Sequence, residues 1–244
     1  MREKIRVLVL AADPSGAGER LRLDEEVRAI DHAIRGGTAR DYLELVPHLA
    51  TRRGDLQDAL MRYEPQVVHF AGHGGSPGVI YLGDEHGRGR PVGKEALGRL
   101  FGIRRDAVRV VVLNGCDTLA TAEVLSEVVD YAIGMKGPIC DESAAVFAAA
   151  FYGALAMGVT PAEAFERGVA ELELADDPDS KLPVLRVRAG VDTRVALVAR
   201  PPSGGGDAVV PGAKAVFENR AGGRGREDEL QSFDAGGMTF RNGG

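Results

Sequence analysis

The chain has 244 residues, 44% of them hydrophobic, with a formal net charge of −6 and two cysteines, Cys116 and Cys140. One α/β domain with a sizeable core fits this length and two full domains do not; the acidic residues are dispersed and no Arg/Lys stripe forms, so nucleic-acid binding has little support. Two cysteines are too few for a disulfide framework and suit a reducing compartment, and no segment has the roughly 20 apolar residues of a membrane span.

The first apolar run, Ile5 to Ala12, is too short for a secretory core and predicts a buried strand, so a soluble, cytoplasmic protein is expected. Asp13-Pro14-Ser15-Gly16 breaks it, and Leu21, Leu23, Val27, Ile30 and Ile34 recur at near-helical spacing until Gly36-Gly37. A second strand is predicted at Tyr42 to Val46, and a short helix capped by Asp55 runs through Arg62. Val67 to Ala71 is the third strand. The Gly-rich stretch Ser76 to Pro91 predicts a hairpin from Val79 to Leu82 with a turn at Asp84-Glu85-His86-Gly87. A helix over Lys94 to Leu100, a strand over Val108 to Leu113, a helix over Leu119 to Val129 and a strand over Tyr131 to Met135 follow. Asp141 to Met157 is nearly all apolar and predicts a helix buried on most sides. Thr160 and Pro161 open a helix to Leu174, and Leu182 to Val187 and Val195 to Val198 read as edge strands. Strands alternating with helices mean a mainly parallel, open sheet with helices on both faces. From residue 201 to 244 the chain is rich in Gly and charge, so residues 1–200 read as the domain and 201–244 as a flexible tail.

Two strand ends carry chemistry. Val67 to Gly75, VVHFAGHGG, delivers His73, and Val110 to Thr118, VVVLNGCDT, delivers Cys116. Ligands of open parallel sheets bind beyond the carboxyl ends of the strands. A histidine and a cysteine delivered there provide a general base beside a thiol nucleophile, the minimum equipment of a cysteine peptidase. The amides of Gly74 and Cys116, at strand-to-loop turns, are the candidates for holding an oxyanion. Each residue also has a plainer reading: His73 as a turn histidine, Cys116 as a buried thiol. His69, inside its strand, reads as a hydrogen-bonded core histidine, Cys140 as a core residue, Asp141 as a helix N-cap and Asp117 as the cap of the helix after Cys116. A zinc site from His69, His73, Cys116 and Cys140 lacks the usual ligand spacing, and no dinucleotide or phosphate loop is present, so no cofactor is expected.

HFAGHG, then VVLNGC, then YAIGMKGPICDESAAVFAAAFYGAL together resemble the CHAT family of caspase-like cysteine peptidases, from about Ile5 to about Val198. The resemblance implies a caspase-type fold, a His73/Cys116 dyad and an oxyanion hole from the Gly74 and Cys116 amides. It also implies that Asp13 occupies a place where related peptidases line a substrate pocket, which would favour Arg or Lys before the scissile bond. Asn114 is either structural or part of that pocket. Asn114-Gly115 before Cys116 and Asp117 after it depart from caspase and metacaspase patterns, so neither specificity carries over. The expected function is cleavage of protein substrates, as an effector in bacterial signalling or defence, by a single chain switched on by a regulatory partner or by conformation. The alternative is a catalytically silent interaction module acting through its tail, in which Phe217, Asn219, Gly222, Gln231, Gly236 and Phe240 loosely resemble short amyloid-type signalling motifs that the charges from Arg224 to Glu229 interrupt.

Overall fold

The computed structural model describes residues 4–18 and 20–198. In chain order these form β1 (Ile5–Ala12), α1 (Leu23–Gly36), β2 (Leu43–His48), α2 (Asp55–Tyr63), β3 (Val67–Gly72), β4 (Gly74–Gly75), β5 (Val79–Gly83), β6 (Gly89–Gly93) and α3 (Lys94–Ile103). Then follow β7 (Val110–Asn114), α4 (Leu119–Leu125), β8 (Tyr131–Met135), α5 (Asp141–Leu155), α6 (Pro161–Leu174) and β9 (Pro183–Val187). Six strands make one sheet in the order β2-β1-β3-β7-β8-β9, parallel except for β9, which runs antiparallel against β8. β4, β5 and β6 make a separate antiparallel sheet immediately after His73.

Because side chains alternate along a strand, each central strand feeds two cores. Val7, Val9, Val67, Val110 and Val112 pack with Ile30 and Ile34 of α1, Phe147, Phe151 and Tyr152 of α5, and Phe165 of α6. Leu8, Leu10, Val68, Phe70, Val111 and Leu113 pack on the other face with Leu56 and Leu60 of α2, Leu97 and Phe101 of α3, and Leu125 of α4. Helices thus cover both faces, as the alternation predicts. The same parity places His69 and Asn114 on the α1–α5 face, beside Val67 and Val112.

Helix ends follow local chemistry. Thr160 accepts a hydrogen bond from the Glu163 amide at 3.2 Å, with Pro161 at the first helical position. Asp24, Glu25 and Glu26 occupy the first turn of α1 and Arg35 its last, matching the helix dipole.

Several expected details differ. Val195 to Val198 forms no strand; Val198 is buried against the α1–α5 core, so its apolarity serves packing rather than a ladder. The helix after Cys116 ends at Leu125, four residues before Val129. Asp55 is the first residue of α2 rather than its cap, and its carboxylate accepts from the Arg52 amide at 3.0 Å. The tail reading for 201–244, with its motif residues, falls outside the described residues. Among the described residues no helix is long and apolar enough to cross a membrane.

Candidate active site

β3 and β7 are neighbours in a register that sets Ala71 opposite Asn114. Two residues further along each strand stand His73 and Cys116, so the strand ends bring them to the same level of the sheet. Both line one narrow cavity of about 40 Å³ together with Glu26, Asn114, Ile139 and Ala144. The backbones at this rim are close. A Cβ on Gly115 would sit 2.4 Å from the Gly72 carbonyl oxygen, and one on Gly74 would sit 2.1 Å from that of Cys116. Close approach, rather than an unusual φ, is what requires glycine at these two positions.

His73 is held from three sides. Its backbone carbonyl accepts from the Tyr81 amide of β5 at 2.9 Å. Its ring Nε2 lies 3.2 Å from Oδ1 of Asp13, at the end of β1. Gly18 lies against the other edge of the ring, where a Cβ would come within 2.5 Å of Cε1 and 2.7 Å of Nδ1. The loop bearing Asp13 and Gly18 is fastened to the hairpin: Ser15 and Gly87 are joined by an amide bond of 2.9 Å and a hydroxyl bond of 3.0 Å, and the Gly89 amide returns to Ser15 at 2.9 Å.

Cys116 is partly buried, and its thiol donates to the Ile139 carbonyl at 3.8 Å. Among the described residues it forms no hydrogen bond with His73, whose ring contact is Asp13. The turn that presents it is built from buried groups. Thr118, fully buried, sets its hydroxyl 2.9 Å from the carbonyls of Leu113 and Gly115 and accepts from the Met135 amide at 3.0 Å. Asp117 takes a left-handed conformation (φ 53°), which reverses the chain after the cysteine. It is therefore not a cap for α4; that position belongs to Thr118, whose hydroxyl points to the strand carbonyls instead.

The floor of the cavity is a buried polar network. Glu26 of α1, 5% exposed, accepts through Oε1 from Nε2 of His69 at 2.8 Å and from the Asn114 amide. Asn114 also donates to the Ala144 carbonyl at 2.9 Å, and Nδ1 of His69 lies 3.2 Å from the Tyr152 hydroxyl. Burial first, and the Glu26 charge second, push the Tyr152 phenol well above its ordinary pKa, so it stays protonated. At the rim, Asp141 accepts the Arg22 amide at 3.0 Å.

The structure therefore brings His73, Cys116, Gly74 and Asn114 to one strand-end rim. It sets Asp13 on the His73 ring rather than among the residues lining this cavity. His69 is a hydrogen-bonded core histidine. Cys140 is exposed rather than core, and it, not Asp141, is the N-cap of α5: its sulfur accepts from the Ser143 amide at 3.4 Å. Glu26 and Thr118 escaped the sequence reading. Their partners lie 43 and 88 residues away for Glu26 and 17 for the Thr118–Met135 bond, and no motif marks either. Among the described residues no cluster of three or more His, Cys, Asp and Glu side chains is arranged to hold a metal ion.

An open parallel sheet with a histidine and a cysteine at adjacent strand ends defines a caspase-like architecture, and the crystal structure of the Drosophila initiator caspase Dronc superposes on it with a TM-score of 0.54. That likeness covers 79% of this chain and 82% of the caspase at 8% identity, so it is one of fold. Residues 6–183 match the CHAT domain, and the chain belongs to that family. Two relatives are a probable protease of Gillisia limnaea, 21% identical over 137 residues, and a Roc-COR-CHAT protease of an unknown prokaryotic organism, 23% identical over 154 residues. The matches take in 55% and 60% of this chain but only 24% and 14% of those much longer proteins.

Proposed function

We propose that the protein is a caspase-like cysteine endopeptidase with Cys116 as nucleophile and His73 as proton carrier. The observation that carries this reading is the convergence of the two side chains on one cavity from adjacent strand ends. The protease names of the relatives agree with it.

In the reaction, the Cys116 sulfur adds to the carbonyl carbon of the scissile bond while its proton passes to His73. The amides of Gly74 and Cys116 stabilise the oxyanion. Collapse breaks the C–N bond, His73 gives the proton to the leaving amine, and a thioester remains. Water, deprotonated by His73, then attacks the thioester; the acid leaves and the thiol is restored. Asp13 is a positioning residue in this scheme: its carboxylate fixes the tautomer and plane of the ring from Nε2. Substrates are proteins, no cofactor takes part, and the setting is cytoplasmic, as an effector in bacterial signalling or defence under a regulatory partner. β7 and β8 are connected through the packed helix α4, which supports activation without cleavage of that connection.

A peptide probe with a thiol-reactive warhead tests the reading. Labelling and peptide hydrolysis should both vanish in Cys116→Ala while far-ultraviolet circular dichroism is unchanged. Hydrolysis retained in that variant overturns it. So does folded wild-type protein that neither labels nor cleaves in the presence of its binding partner; that result indicates an interaction module.

A further inference from the structure

The two cysteines of the chain follow different strands, yet they are neighbours in space. Neither is in a disulfide. The Cys116 thiol donates to the Ile139 carbonyl at 3.8 Å, and Ile139 immediately precedes Cys140. Across a trans peptide bond a carbonyl oxygen lies about 2.8 Å from the next Cα. The Cys116 sulfur is therefore at most about 6.6 Å from Cys140 Cα. A disulfide needs roughly 4 Å between those atoms. One staggered step of χ1 moves a cysteine sulfur by about 3 Å, so rotation of the Cys116 side chain is on the scale of the remaining gap. The backbones are tied at this spacing. The Asp117 amide donates to the Gly137 carbonyl at 3.2 Å, the Lys136 amide to the Leu182 carbonyl at 3.0 Å, and the Cys140 amide to Asp179 Oδ2 at 2.9 Å.

Cys140 has a second unusual property. It is the N-cap of α5, a position where serine, threonine, aspartate or asparagine is the ordinary choice. Sulfur is a weak acceptor, so capping alone does not account for a cysteine there. The residue is exposed, and its sulfur lies 2.9 Å from the Ser143 hydroxyl, which itself donates to Asp177 at 2.7 Å. With the hydroxyl hydrogen spent on Asp177, the thiol donates to the serine oxygen. The Ser143 amide donates to the sulfur at 3.4 Å. The sulfur is thus set between an N–H donor and an oxygen that accepts its proton.

We propose that Cys116 and Cys140 form a reversible disulfide when the protein meets a hydroperoxide, with Cys140 as the resolving thiol. In the first step the Cys116 sulfur attacks the terminal peroxide oxygen. The O–O bond breaks, the sulfur keeps the OH as a sulfenic acid, and the departing oxygen takes the thiol proton. Cysteine is oxidised and the peroxide is reduced to an alcohol, or to water where it is hydrogen peroxide. In the second step the Cys140 sulfur attacks the sulfenic sulfur. The S–S bond forms, the S–O bond breaks, and the hydroxide leaves as water with the Cys140 proton. A dithiol reverses the result by exchange. The bridge fastens the cavity wall at Ile139 to Cys116 and draws the Cys140 sulfur from the Ser143 amide, so oxidation also uncaps α5. That it silences peptide cleavage rests on Cys116 being the nucleophile; the bridge itself does not.

The full chain, treated with equimolar hydrogen peroxide and digested with trypsin without reduction, tests this by mass spectrometry. Lys136 lies between the two cysteines, so the bridge joins two otherwise separate peptides. Wild type should yield that joined pair within the monomer, and dithiothreitol should return both thiols. Cys140→Ser keeps a capping oxygen and loses the resolving sulfur. In excess peroxide its Cys116 should advance to sulfinic or sulfonic acid, and the share of Cys116 thiol that dithiothreitol recovers should fall at least about fivefold below wild type. Wild-type Cys116 over-oxidised beside a free Cys140, two thiols left unoxidised, a bridge only between chains, or equal recovery in the two proteins overturns the proposal. Peptide cleavage is followed in the same samples. Loss with peroxide and return with dithiothreitol support control of activity by the bridge. Undiminished cleavage by the bridged form leaves the bridge standing and refutes Cys116 as nucleophile. A bridge that forms and reverses in a chain that cleaves no peptide supports the thiol pair and refutes the peptidase reading.

Discussion

Thr118→Val removes one oxygen from the turn that presents Cys116 while keeping the side chain's shape. The hydroxyl lies 2.9 Å from the carbonyls of Leu113 and Gly115 and accepts from the Met135 amide at 3.0 Å, all in a fully buried position. Without it the Met135 N–H has no acceptor, at a cost of about 1–3 kcal/mol, and the lost donor bond adds about 1 kcal/mol. The sum, about 2–4 kcal/mol, is a large part of the roughly 5–15 kcal/mol that holds a typical domain folded. With a slope of about 2 kcal/mol per molar urea, the unfolding midpoint should fall by about 1–2 M. Urea titration followed by circular dichroism measures it. Thr118→Ser keeps the oxygen and should stay within about 1 kcal/mol of wild type. A Thr118→Val stability within about 0.5 kcal/mol of wild type, or a serine variant that loses as much as the valine one, would refute the assignment of the hydroxyl as the anchor of the turn.

On the proposed mechanism, in which Asp13 acts by holding the His73 ring, Asp13→Asn should lower kcat about 10- to 100-fold with KM nearly unchanged; an unaltered kcat would mean the ring is oriented without it. Asp84, in the turn between β5 and β6, has its pKa lowered to about 2, chiefly by the backbone N–H of Arg88 and, against desolvation, by the N–H of His86 and the Arg90 guanidinium. A depressed carboxyl stabilises the folded form above its unfolded value of 3.8 and loses that contribution as pH falls toward about 2. An NMR titration of the Asp84 carboxyl should show a midpoint near 2; a midpoint near 3.8 would show that those donors do not hold it.

Strand and helix placement was readable wherever period and punctuation agreed. β1, β8 and α6 begin and end where the apolar pattern and the Thr160-Pro161 start place them. The rim was readable for a related reason. Apolar strands that break at Gly72–His73–Gly74 and Gly115–Cys116 advertise turns, and a reactive side chain on such a turn stands out. What lay beneath the rim was not. Glu26 looks like any acid in the first turn of a helix, where the dipole favours it, until the sheet brings His69 and Asn114 against it. Thr118 is a neutral hydroxyl whose partners come from two strands. The pairing of Asp13 with His73 requires β1 and β3 to be adjacent, a consequence of strand order rather than of any local pattern. Cys140 and Asp141 differ by one position, and the competition for the cap is settled by Ser143, whose amide meets the sulfur.

The parity of the central strands gives the two sides of the sheet different freedoms. His69, His73, Asn114 and Cys116 emerge toward α1 and α5, whereas the layer formed by α2, α3 and α4 meets the sheet mainly through aliphatic and phenylalanine side chains. Substitutions on the outside of that second layer can therefore lengthen, tilt or decorate it while the strand-end rim on the far side keeps its geometry. A domain organised this way can change its back without disturbing the groups gathered on its front.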